Sequence, residues 1–309
     1  MSLELITGIE NYRSRGERTV ATIGTFDGVH LGHQAILSRL RSCAAKQNMH
    51  PLAITFEPHP RVLVTPDSPP LLLTCLNEKA KLFSEYLDGT LLVLAFDRQL
   101  MNLTAEEFIR KYLVDKIKLS KLIVGHDHAF GKGRSGTISD LMQLNQKYSF
   151  ELEIVNPVMV DDQPISSSRI RRLIIDHKLD MAVGYLGHPY PLSGKVIKGI
   201  GLGRQIGFPT ANIACSCRKL LPRDGVYSCH VEVIGRRFDG MMFIGTNHFN
   251  PGAGKSIEVN IFDFDAEVYG EELFCYPEVY VRESRVYSES SQLLEQLKVD
   301  RNNVLMLKK

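Results

Sequence analysis

The sequence predicts an α/β domain with a parallel sheet, followed by a small antiparallel β-barrel and a C-terminal helix. Strand-like and helix-like patterns alternate from the N-terminus to a point near residue 185. After that point glycine and proline become dense, and the strands are short and alternate between apolar and polar residues. Alternating strands and helices build parallel sheets, whereas short strands with glycine-rich turns are typical of barrels. We therefore predict one domain over residues 1–185 and a second over residues 186–309.

The first domain contains candidate strands and helices in regular alternation. Thr104 and Glu107 match a capping box at the start of one helix. Apolar residues at helical spacing predict the other helices. The predicted elements are strands over 20–25, 52–56, 90–96, 122–124 and 152–155 and helices over 34–47, 77–86, 104–114 and 167–177. Because ligands of parallel sheets bind at the carboxyl ends of the strands, we expect a site in the loops that follow them.

The second domain is marked by alternation with a period of two. In a strand over 255–264, Ile257 faces one way and Glu258 faces the other. The same alternation marks a strand over 226–233. The end of the chain carries leucines at helical spacing, which predict a helix over 288–307.

Composition restricts the class of protein. With 309 residues, of which 44% are hydrophobic and 23% charged, we expect two ordinary globular domains. The formal net charge of +2 gives no strong attraction to a polyanion, so nucleic-acid binding is disfavoured. The longest apolar stretch, over 91–96, is too short for a membrane span, and no targeting segment is visible. We expect neither a membrane nor an obligate protein partner.

The six cysteines give one further expectation. They form no Cys-x-x-Cys pair, and Cys215 and Cys217 have no second pair nearby. A zinc site is therefore disfavoured. We expect scattered free thiols, which fit a reducing cytoplasm.

The first candidate site is the run Gly-Thr-Phe-Asp-Gly-Val-His-Leu-Gly-His over 24–33. At a helix start, His30 and His33 share one face, and the unpaired N–H groups and the helix dipole favour phosphate. Gly28 and Gly32 let the backbone approach a nucleotide, and imidazoles can stabilise charge on a transferring phosphate. A histidine pair alone also occurs on surfaces and at metal sites, but the preceding strand and the glycines favour a nucleotide.

The second candidate site is the run Gly-Leu-Gly-Arg-Gln-Ile-Gly-Phe-Pro-Thr-Ala-Asn over 201–212. It is not a dinucleotide fingerprint, because the Gly-x-Gly-x-x-Gly pattern is incomplete and we expect no helix after it. A flexible glycine loop followed by proline, a hydroxyl and an amide suits phosphate and Mg²⁺. A barrel turn with a polar end is the alternative. Glu258 favours the functional interpretation, because a general base for a hydroxyl needs a fixed carboxylate, although exposed strand glutamates are common.

Four runs of the first domain resemble motifs of the nucleotidyltransferase superfamily, in the form found in bacterial FAD synthetases. They are the run over 24–33, Thr-Phe-Glu-Pro-His-Pro over 55–60, the glycine-rich run over 124–136 and Ile-Ser-Ser-Ser-Arg-Ile-Arg over 165–171. The resemblance implies a Rossmann-like domain in which His30 and His33 are catalytic. The implied ATP-binding residues are Gly24, Phe26, Gly28, His30, His33, Ser167, Ser168 and Arg169, and the implied flavin-binding residues are His59 and Asp127.

Five runs of the second domain resemble the riboflavin kinase module, namely those over 186–190, 207–212, 224–227, 258–264 and 268–270. The resemblance implies that Thr210 and Asn212 bind Mg²⁺ with ATP and that Glu258 is the catalytic base on the ribityl hydroxyl. The implied ATP-binding residues are Gly201, Gly203, Gly207, Pro209, Thr210 and Asn212, and the implied flavin-binding residues are Arg282 and Glu283. The segment over 243–255 departs from the family's pattern.

Together the two resemblances imply a bifunctional riboflavin kinase/FAD synthetase. Such an enzyme phosphorylates riboflavin to FMN with Mg²⁺ and ATP, then transfers AMP from ATP to FMN, which gives FAD and pyrophosphate. A phosphate nucleophile is already ionised, so the first site needs no obvious carboxylate base. Two alternatives are a single-activity nucleotidyltransferase with a degenerate second domain and a flavin-binding protein without turnover. Intact candidate residues in both halves disfavour both alternatives.

Overall fold

The computed structural model of the chain describes residues 3–14, 16, 18–128, 130–134, 136–199, 201–246 and 255–308. The chain divides into two compact units, and the division is not a single cut. The first unit comprises Met1–Leu71 and Lys79–Ser167, and the second comprises Leu72–Glu78 and Ser168–Lys309. The predicted boundary at residue 185 stays a prediction.

The first unit is built on a six-stranded sheet. Its strands are β1 (Glu4–Thr7), β2 (Thr19–Ile23), β3 (His50–Glu57), β4 (Thr90–Ala95), β5 (Leu119–Gly125) and β6 (Glu151–Val155), followed by a short pair, β7 (Met159–Val160) and β8 (Gln163–Pro164). The order across the sheet is β1-β4-β3-β2-β5-β6, with every neighbouring pair parallel. The predicted parallel sheet is therefore confirmed.

Helices cover this sheet. They are α1 (Leu31–Gln47), α2 (Arg61–Val64), α3 (Leu76–Tyr86), α4 (Arg98–Met101), α5 (Ala105–Phe108) and α6 (Ile138–Tyr148). The capping box at α5 is confirmed, because Thr104 Oγ1 accepts from the Glu107 N–H at 3.2 Å and the Thr104 N–H donates to Glu107 Oε2 at 2.9 Å. The chain is π-helical over Ile109–Ile117, so the helical stretch ends after the predicted end at residue 114. Buried Leu52 and Leu122 belong to the core beneath these helices.

The second unit contains a closed barrel. Its strands are β9 (Leu192–Ile197), β10 (Ala211–Ala214), β11 (Gly225–Val233), β12 (Arg236–Thr246), β13 (Lys255–Ile261) and β14 (Glu272–Arg282), and its helices are α7 (Ser167–Ile175), α8 (Leu179–Leu186), α9 (Leu202–Gln205) and α10 (Ser290–Leu307). The strands close in the order β10-β13-β12-β11-β14-β9, and every pair is antiparallel. The predicted barrel and C-terminal helix are confirmed. Val304 on α10 packs with Phe208, Met241 and Phe262.

A seven-residue segment from the N-terminal half is built into the second unit. The Leu72 N–H donates to the Arg218 carbonyl at 2.8 Å, and the Leu220 N–H donates to the Leu72 carbonyl at 2.8 Å. At the other end of the segment, fully buried Glu78 forms an ion pair at 2.5 Å with Lys219, which is itself buried. The segment therefore contributes both backbone pairing and a buried charge to the unit in which the barrel lies.

The same segment carries a disulfide. Cys75 and Cys217, 142 residues apart in sequence, are bonded with their Cα atoms 5.6 Å apart. The prediction of scattered free thiols is therefore wrong for this pair and holds for Cys43, Cys215, Cys229 and Cys275. Sequence spacing could not reveal the pair, because only the tertiary fold brings the two positions together.

No helix in the described part of the chain combines the length and the apolar character needed to span a bilayer.

Candidate active sites

The first site lies at the carboxyl ends of three neighbouring strands. In the sheet β2 lies between β3 and β5. The turn over 24–29 follows β2, His59 follows β3 and Asp127 follows β5. The chain leaves β2 and β3 in one direction across the sheet and β5 in the other, which is the kind of switch point at which open α/β sheets bind ligands. The sequence-based expectation of a site in these loops is thus consistent with the topology.

The turn that leads from β2 to α1 has an unusual backbone. Phe26, Gly28 and Val29 have φ values of +47°, +85° and +39°, a left-handed conformation that is uncommon outside glycine. The Phe26 side chain is buried and lies edge-on to His33 and to Phe83, with centroid distances of 5.2 and 5.3 Å. Packing of this aromatic ring holds the strained turn in place, so the turn presents the residues that follow it.

The two histidines of the first site are stacked. The ring centroids of His30 and His33 lie 3.6 Å apart with an interplanar angle of 19°, which confirms that both lie on one face at the helix start. His30 is the N-cap residue of α1, and its side chain does not cap the helix. Burial, and then the positive charges of His30 and Lys79, hold the pKa of His33 well below its usual value. His33 is therefore a neutral hydrogen-bonding group near pH 7.

An orphaned polar atom indicates where a ligand could bind. His33 Nδ1 is buried and has no hydrogen-bond partner within the described residues. An unsatisfied buried polar atom costs free energy unless a ligand or water completes it. A nucleotide phosphate at the N-terminus of α1 would supply oxygens for such a nitrogen and would also meet the helix dipole.

The serine and arginine predictions fall in two different units. Ser167 Oγ donates to the Asp27 carbonyl at 2.9 Å, so it is joined to the turn of the first site. Ser168 and Arg169 belong to the second unit. The Arg169 guanidinium donates to Tyr185 Oη at 2.7 Å and lies over the Tyr185 ring. The roles of Ser168 and Arg169 on ATP phosphates stay predictions.

The two predicted flavin-side residues of the first site differ in exposure. His59 is buried, and its Nδ1 accepts from the Arg61 N–H at 3.2 Å. The Asp127 side chain is 82% exposed, and its carboxylate lies 3.9 Å from His126 Nδ1. Asp127 is therefore accessible to a ligand, whereas a role for His59 requires its remaining ring nitrogen.

The sequence interpretation missed one charged residue of the first site. Lys79 on α3 is only 5% exposed, and its ammonium donates to the Thr25 carbonyl at 2.7 Å and to Thr55 Oγ1 at 3.1 Å. A signal was present, because Lys79 lies three residues after Leu76 and four before Phe83, on the apolar face of an amphipathic helix. A lysine on such a face has a charge that needs an explanation.

The second site is a cavity of about 520 Å³ in the second unit. Most of the residues predicted for ATP and flavin binding line it. They are Gly201, Gly203, Pro209, Thr210, Asn212 and Arg282, and the predicted base Glu258 lines the cavity as well. Gly207 lies between two lining residues, Ile206 and Phe208. The apolar part of the lining includes Met241 and Val259, as expected for a pocket that accepts a flat aromatic ligand.

The glycine loop of this cavity folds tightly on itself. The Phe208 N–H donates to the Gly203 carbonyl at 2.7 Å, and a Cβ atom on Gly203 would lie 2.3 Å from the Phe208 carbonyl oxygen. Gly201 and Gly207 have φ values of +75° and +78°. The expectation that no helix follows the first glycines is wrong, because the four-residue α9 forms there. Glycine is required here both for close approach and for left-handed backbone.

Glu258 and Asn212 are direct neighbours on adjacent strands of the barrel. They are paired residues of β13 and β10, and side chains of such a pair lie about 5 Å apart at Cβ. Ser256 Oγ lies 3.2 Å from Glu258 Oε1. Asn260 Nδ2 donates to the Pro209 carbonyl at 2.7 Å, which fixes the loop that carries Thr210. The arrangement places a carboxylate beside an amide and a hydroxyl in one cavity.

The donors present suit a hard cation bound together with phosphate. Within the described residues no group of three or more His, Cys, Asp or Glu side chains is arranged to hold a metal by itself. Thr210 and Asn212 offer neutral oxygens, which are ligands that Mg²⁺ accepts when substrate phosphates supply the negative charge. The cavity therefore fits Mg²⁺ delivered with a nucleotide better than a permanent metal centre.

The two residues predicted to bind the flavin in the second site, Arg282 and Glu283, line different depressions. The Arg282 guanidinium forms two hydrogen bonds to the buried carboxylate of Asp300 on α10, at 2.8 and 2.6 Å. Burial opposes the charge of Arg282, but Asp300 raises its pKa above the usual value. Glu283 lines a different, more open depression with Arg223 and Tyr280. Its flavin-binding role stays a prediction.

Asp300 was missed by the sequence interpretation, although it left a signal. It lies one helical turn after Leu297, which places a carboxylate on the apolar face of α10. The divergent segment over 243–255 lies partly outside the described residues. Its first four residues complete β12 and its last begins β13, and residues 247–254 are not among those described.

Comparison with known proteins assigns both halves of the chain. The FAD synthetase family matches residues 13–169, and the riboflavin kinase family matches residues 186–307. The chain is 33% identical over 303 residues to a bifunctional riboflavin kinase/FMN adenylyltransferase of Buchnera aphidicola, and the match covers 96% of both chains. It is 35% identical over 300 residues to the protein of the same name from Escherichia coli (strain K12), again with 96% of both chains covered.

This chain belongs to the bifunctional riboflavin kinase/FMN adenylyltransferase family. It is an enzyme that carries an FAD synthetase domain and a riboflavin kinase domain, as the sequence resemblance implied. The first unit holds most of the FAD synthetase match, and the barrel lies within the riboflavin kinase match.

A solved structure shows the same fold over almost the whole chain. It is the crystal structure of a protein from Streptococcus pneumoniae that is named a macrolide-efflux protein. The TM-score is 0.80 at 30% sequence identity, and 98% of each chain is covered. The two-part architecture is therefore shared with a protein that carries a different name.

Proposed function

We propose that this member of the riboflavin kinase/FMN adenylyltransferase family performs its two reactions at the two sites described above. The cavity of the second unit would convert riboflavin to FMN, and the paired histidines of the first unit would serve the conversion of FMN to FAD. The observation that carries the proposal is the difference in chemistry between the sites. One contains a carboxylate beside neutral oxygens, and the other contains two stacked imidazoles at a helix start.

In the kinase reaction the ribityl hydroxyl oxygen would attack the γ-phosphorus of ATP, and ADP would leave. Glu258 would accept the hydroxyl proton, which is the task of a general base. Thr210 and Asn212 would hold Mg²⁺, which would supply positive charge to offset the charge that develops on the phosphates. The loop with Gly201, Gly203 and Gly207 would surround the phosphates, and Pro209 would stiffen its end. Arg282 and Glu283 would bind the flavin.

In the adenylyl transfer a phosphate oxygen of FMN would attack the α-phosphorus of ATP, and pyrophosphate would leave. The nucleophile carries no proton at neutral pH that must be removed, so donors are needed rather than a base. His30 and His33 would stabilise the charge on the transferring group. Gly24, Phe26 and Gly28 would shape the turn, and Ser167, Ser168 and Arg169 would bind phosphate. His59 and Asp127 would bind the flavin.

The location and the partners of the enzyme belong to the same proposal. Four free cysteines and small-molecule substrates favour the cytoplasm, with ATP and flavins as its partners and neither nucleic acid nor an obligate protein partner. The Cys75–Cys217 disulfide is the observation that weighs against a reducing compartment. We also propose residue 185 as the boundary between the two catalytic domains, supported by the start of the riboflavin kinase match at residue 186.

Chromatography of flavins tests the function directly. The purified protein is incubated with riboflavin, ATP and Mg²⁺, and samples are separated over time. FMN that appears first, followed by FAD, is the expected result. FMN without FAD would contradict the assignment of the first site, and the absence of any product would favour a flavin-binding protein without turnover.

A further inference from the structure

Lys79 is a buried cation next to the adenylyl-transfer site, and burial of a lysine costs free energy unless its contacts compensate. Its ammonium donates to the Thr25 carbonyl at 2.7 Å and to Thr55 Oγ1 at 3.1 Å. Thr55 Oγ1 also lies 3.1 Å from the Thr25 carbonyl. Asp27 and Glu57 act on the ammonium through their charges. Lys79 Nζ, the Thr25 carbonyl oxygen and Thr55 Oγ1 are therefore in mutual polar contact within the first unit.

These contacts fix the start of the turn over 24–29, which precedes the two histidines. We call them the Lys79 clamp. Thr25 directly precedes Phe26, which has a φ of +47°. Thr55 lies on β3, the neighbour of β2 in the sheet. A strained backbone persists only when its surroundings fix it, and Lys79 fixes the carbonyl at the head of this turn. A change in the clamp would therefore move the turn that leads to His30.

Lys79 also acts on the histidines through its charge. Burial is the largest cause of the lowered pKa of His33, and the charges of His30 and Lys79 add to it. Burial lowers the pKa of Lys79, and the charges of Asp27 and Glu57 oppose that effect. A positive charge held near His33 favours the negative charge of a transferring phosphate, and it costs no reorganisation during the reaction.

We propose that Lys79 is a positioning residue for adenylyl transfer, which holds Thr25 and Thr55 so that the turn presents His30 and His33 and which keeps a positive charge near His33. The inference rests on the proposed role of the first site. Lys79 contacts residues of the turn and the sheet, and it acts on the reaction through the histidines.

The test compares Lys79→Met, which keeps the length of the side chain and removes the charge, with Lys79→Arg, which keeps the charge. Lys46→Met, at an exposed position of α1 in the same unit, is the matched control. For each protein we would measure kcat and KM for FMN adenylylation and, in the same sample, for riboflavin phosphorylation. A histidine NMR titration, assigned with His33→Gln, would give the pKa of His33.

Lys79→Met is expected to lower the kcat of adenylylation by about tenfold to a hundredfold, the effect of a small misplacement of reacting groups. Riboflavin phosphorylation should stay unchanged, Lys79→Arg should recover most of the loss, and the pKa of His33 should rise in Lys79→Met only. Unchanged adenylylation, or a loss without rescue and without a change in the His33 titration, would overturn the proposal.

A second variant keeps the proposal testable if Lys79→Met does not fold. Thr55→Val removes the hydroxyl that joins Lys79 to Thr25 and preserves the shape of a fully buried side chain. It should lower adenylylation several-fold and leave phosphorylation intact, and wild-type adenylylation in Thr55→Val would contradict the clamp. If the wild-type protein formed no FAD, the role assigned to the first site would fail, whereas the His33 titration would still decide the action of Lys79.

Discussion

The two candidate sites of this enzyme present different kinds of side chain. The first presents two stacked imidazoles and a buried ammonium at the edge of an open parallel sheet. The second presents a carboxylate, an amide and a hydroxyl inside a closed barrel. The candidate groups of the first site are therefore hydrogen-bond donors, whereas the candidate base of the second lies in the barrel wall.

The difference follows from the nucleophile. A hydroxyl must lose a proton as it attacks phosphorus, so a kinase site needs a base close to its substrate, which is the role proposed for Glu258. A phosphate is already ionised, and the difficulty there is the repulsion between two groups of like charge. Positive charge and hydrogen-bond donors address that difficulty. The protonation state of the attacking oxygen therefore accounts for the composition of each site.

The largest expected effect concerns the base. Glu258→Gln preserves size and removes the proton acceptor, so riboflavin phosphorylation should fall by about 10²–10⁴-fold. Conversion of added FMN to FAD should stay at the wild-type rate. Both rates would be followed by flavin chromatography. Glu271→Gln, at an exposed position of the same unit, is the matched control, and equal losses in the two variants would remove Glu258 from its assigned role.

The reciprocal change is expected to be slightly smaller. His30→Ala removes one imidazole from the stacked pair, and adenylylation should fall by about 10²–10³-fold, as for loss of one preorganised donor. Riboflavin phosphorylation should be unchanged in the same sample, and circular dichroism would show whether the protein is folded. A folded His30→Ala protein that loses both activities would show that the two sites do not act separately.

A backbone change should give an intermediate effect in the second site alone. Gly203→Ala would bring a Cβ atom to 2.3 Å from the Phe208 carbonyl oxygen, so the loop must shift. The KM for ATP in phosphorylation should rise by about tenfold to a hundredfold, with adenylylation unchanged. Gly184→Ala, where a Cβ would meet open space, should leave both activities intact. Wild-type kinetics in Gly203→Ala would mean that the loop does not hold ATP.

The smallest expected effect is on stability in acid. The folded pKa of His33 lies well below its ordinary value of about 6.5, so the unfolded chain binds a proton that the folded chain does not. The free energy of unfolding should therefore fall as the pH drops below about 6.5, by up to about 1.4 kcal/mol per pH unit for this group, and should be flat above. His33→Gln should remove that part of the slope in denaturant titrations. An unchanged slope would show that His33 titrates normally in the folded state.

Much of this comparison could be predicted from the sequence, because local patterns specify it. The helix start at the histidine pair, the capping box at Thr104 and the alternation around Glu258 each depend on neighbours close in the chain. The motif residues of the second site lie close together in sequence within 201–212, and most of them line the same cavity. The sheet and the barrel were predictable for the same reason.

The missed features depend on residues far apart in the chain. Lys79 becomes part of the first site only because α3 packs beside the ends of β2 and β3. Asp300 meets Arg282 only because α10 packs against the barrel. The Cys75–Cys217 bond joins positions 142 residues apart. For Lys79 and Asp300, a charged side chain on an apolar helix face was visible in the sequence, and in all three cases the partner could not be inferred from spacing.

The segment Leu72–Glu78 has a consequence for the evolution of the gene. A coding sequence divided at residue 186 would yield a barrel that lacks this segment, so Lys219 would lose its ion-pair partner and Cys217 would lose its bonded partner. The barrel unit would also lose the backbone hydrogen bonds between Leu72 and both Arg218 and Leu220. Gene fission would therefore need compensating substitutions, which gives a physical reason for both reactions to stay on one polypeptide.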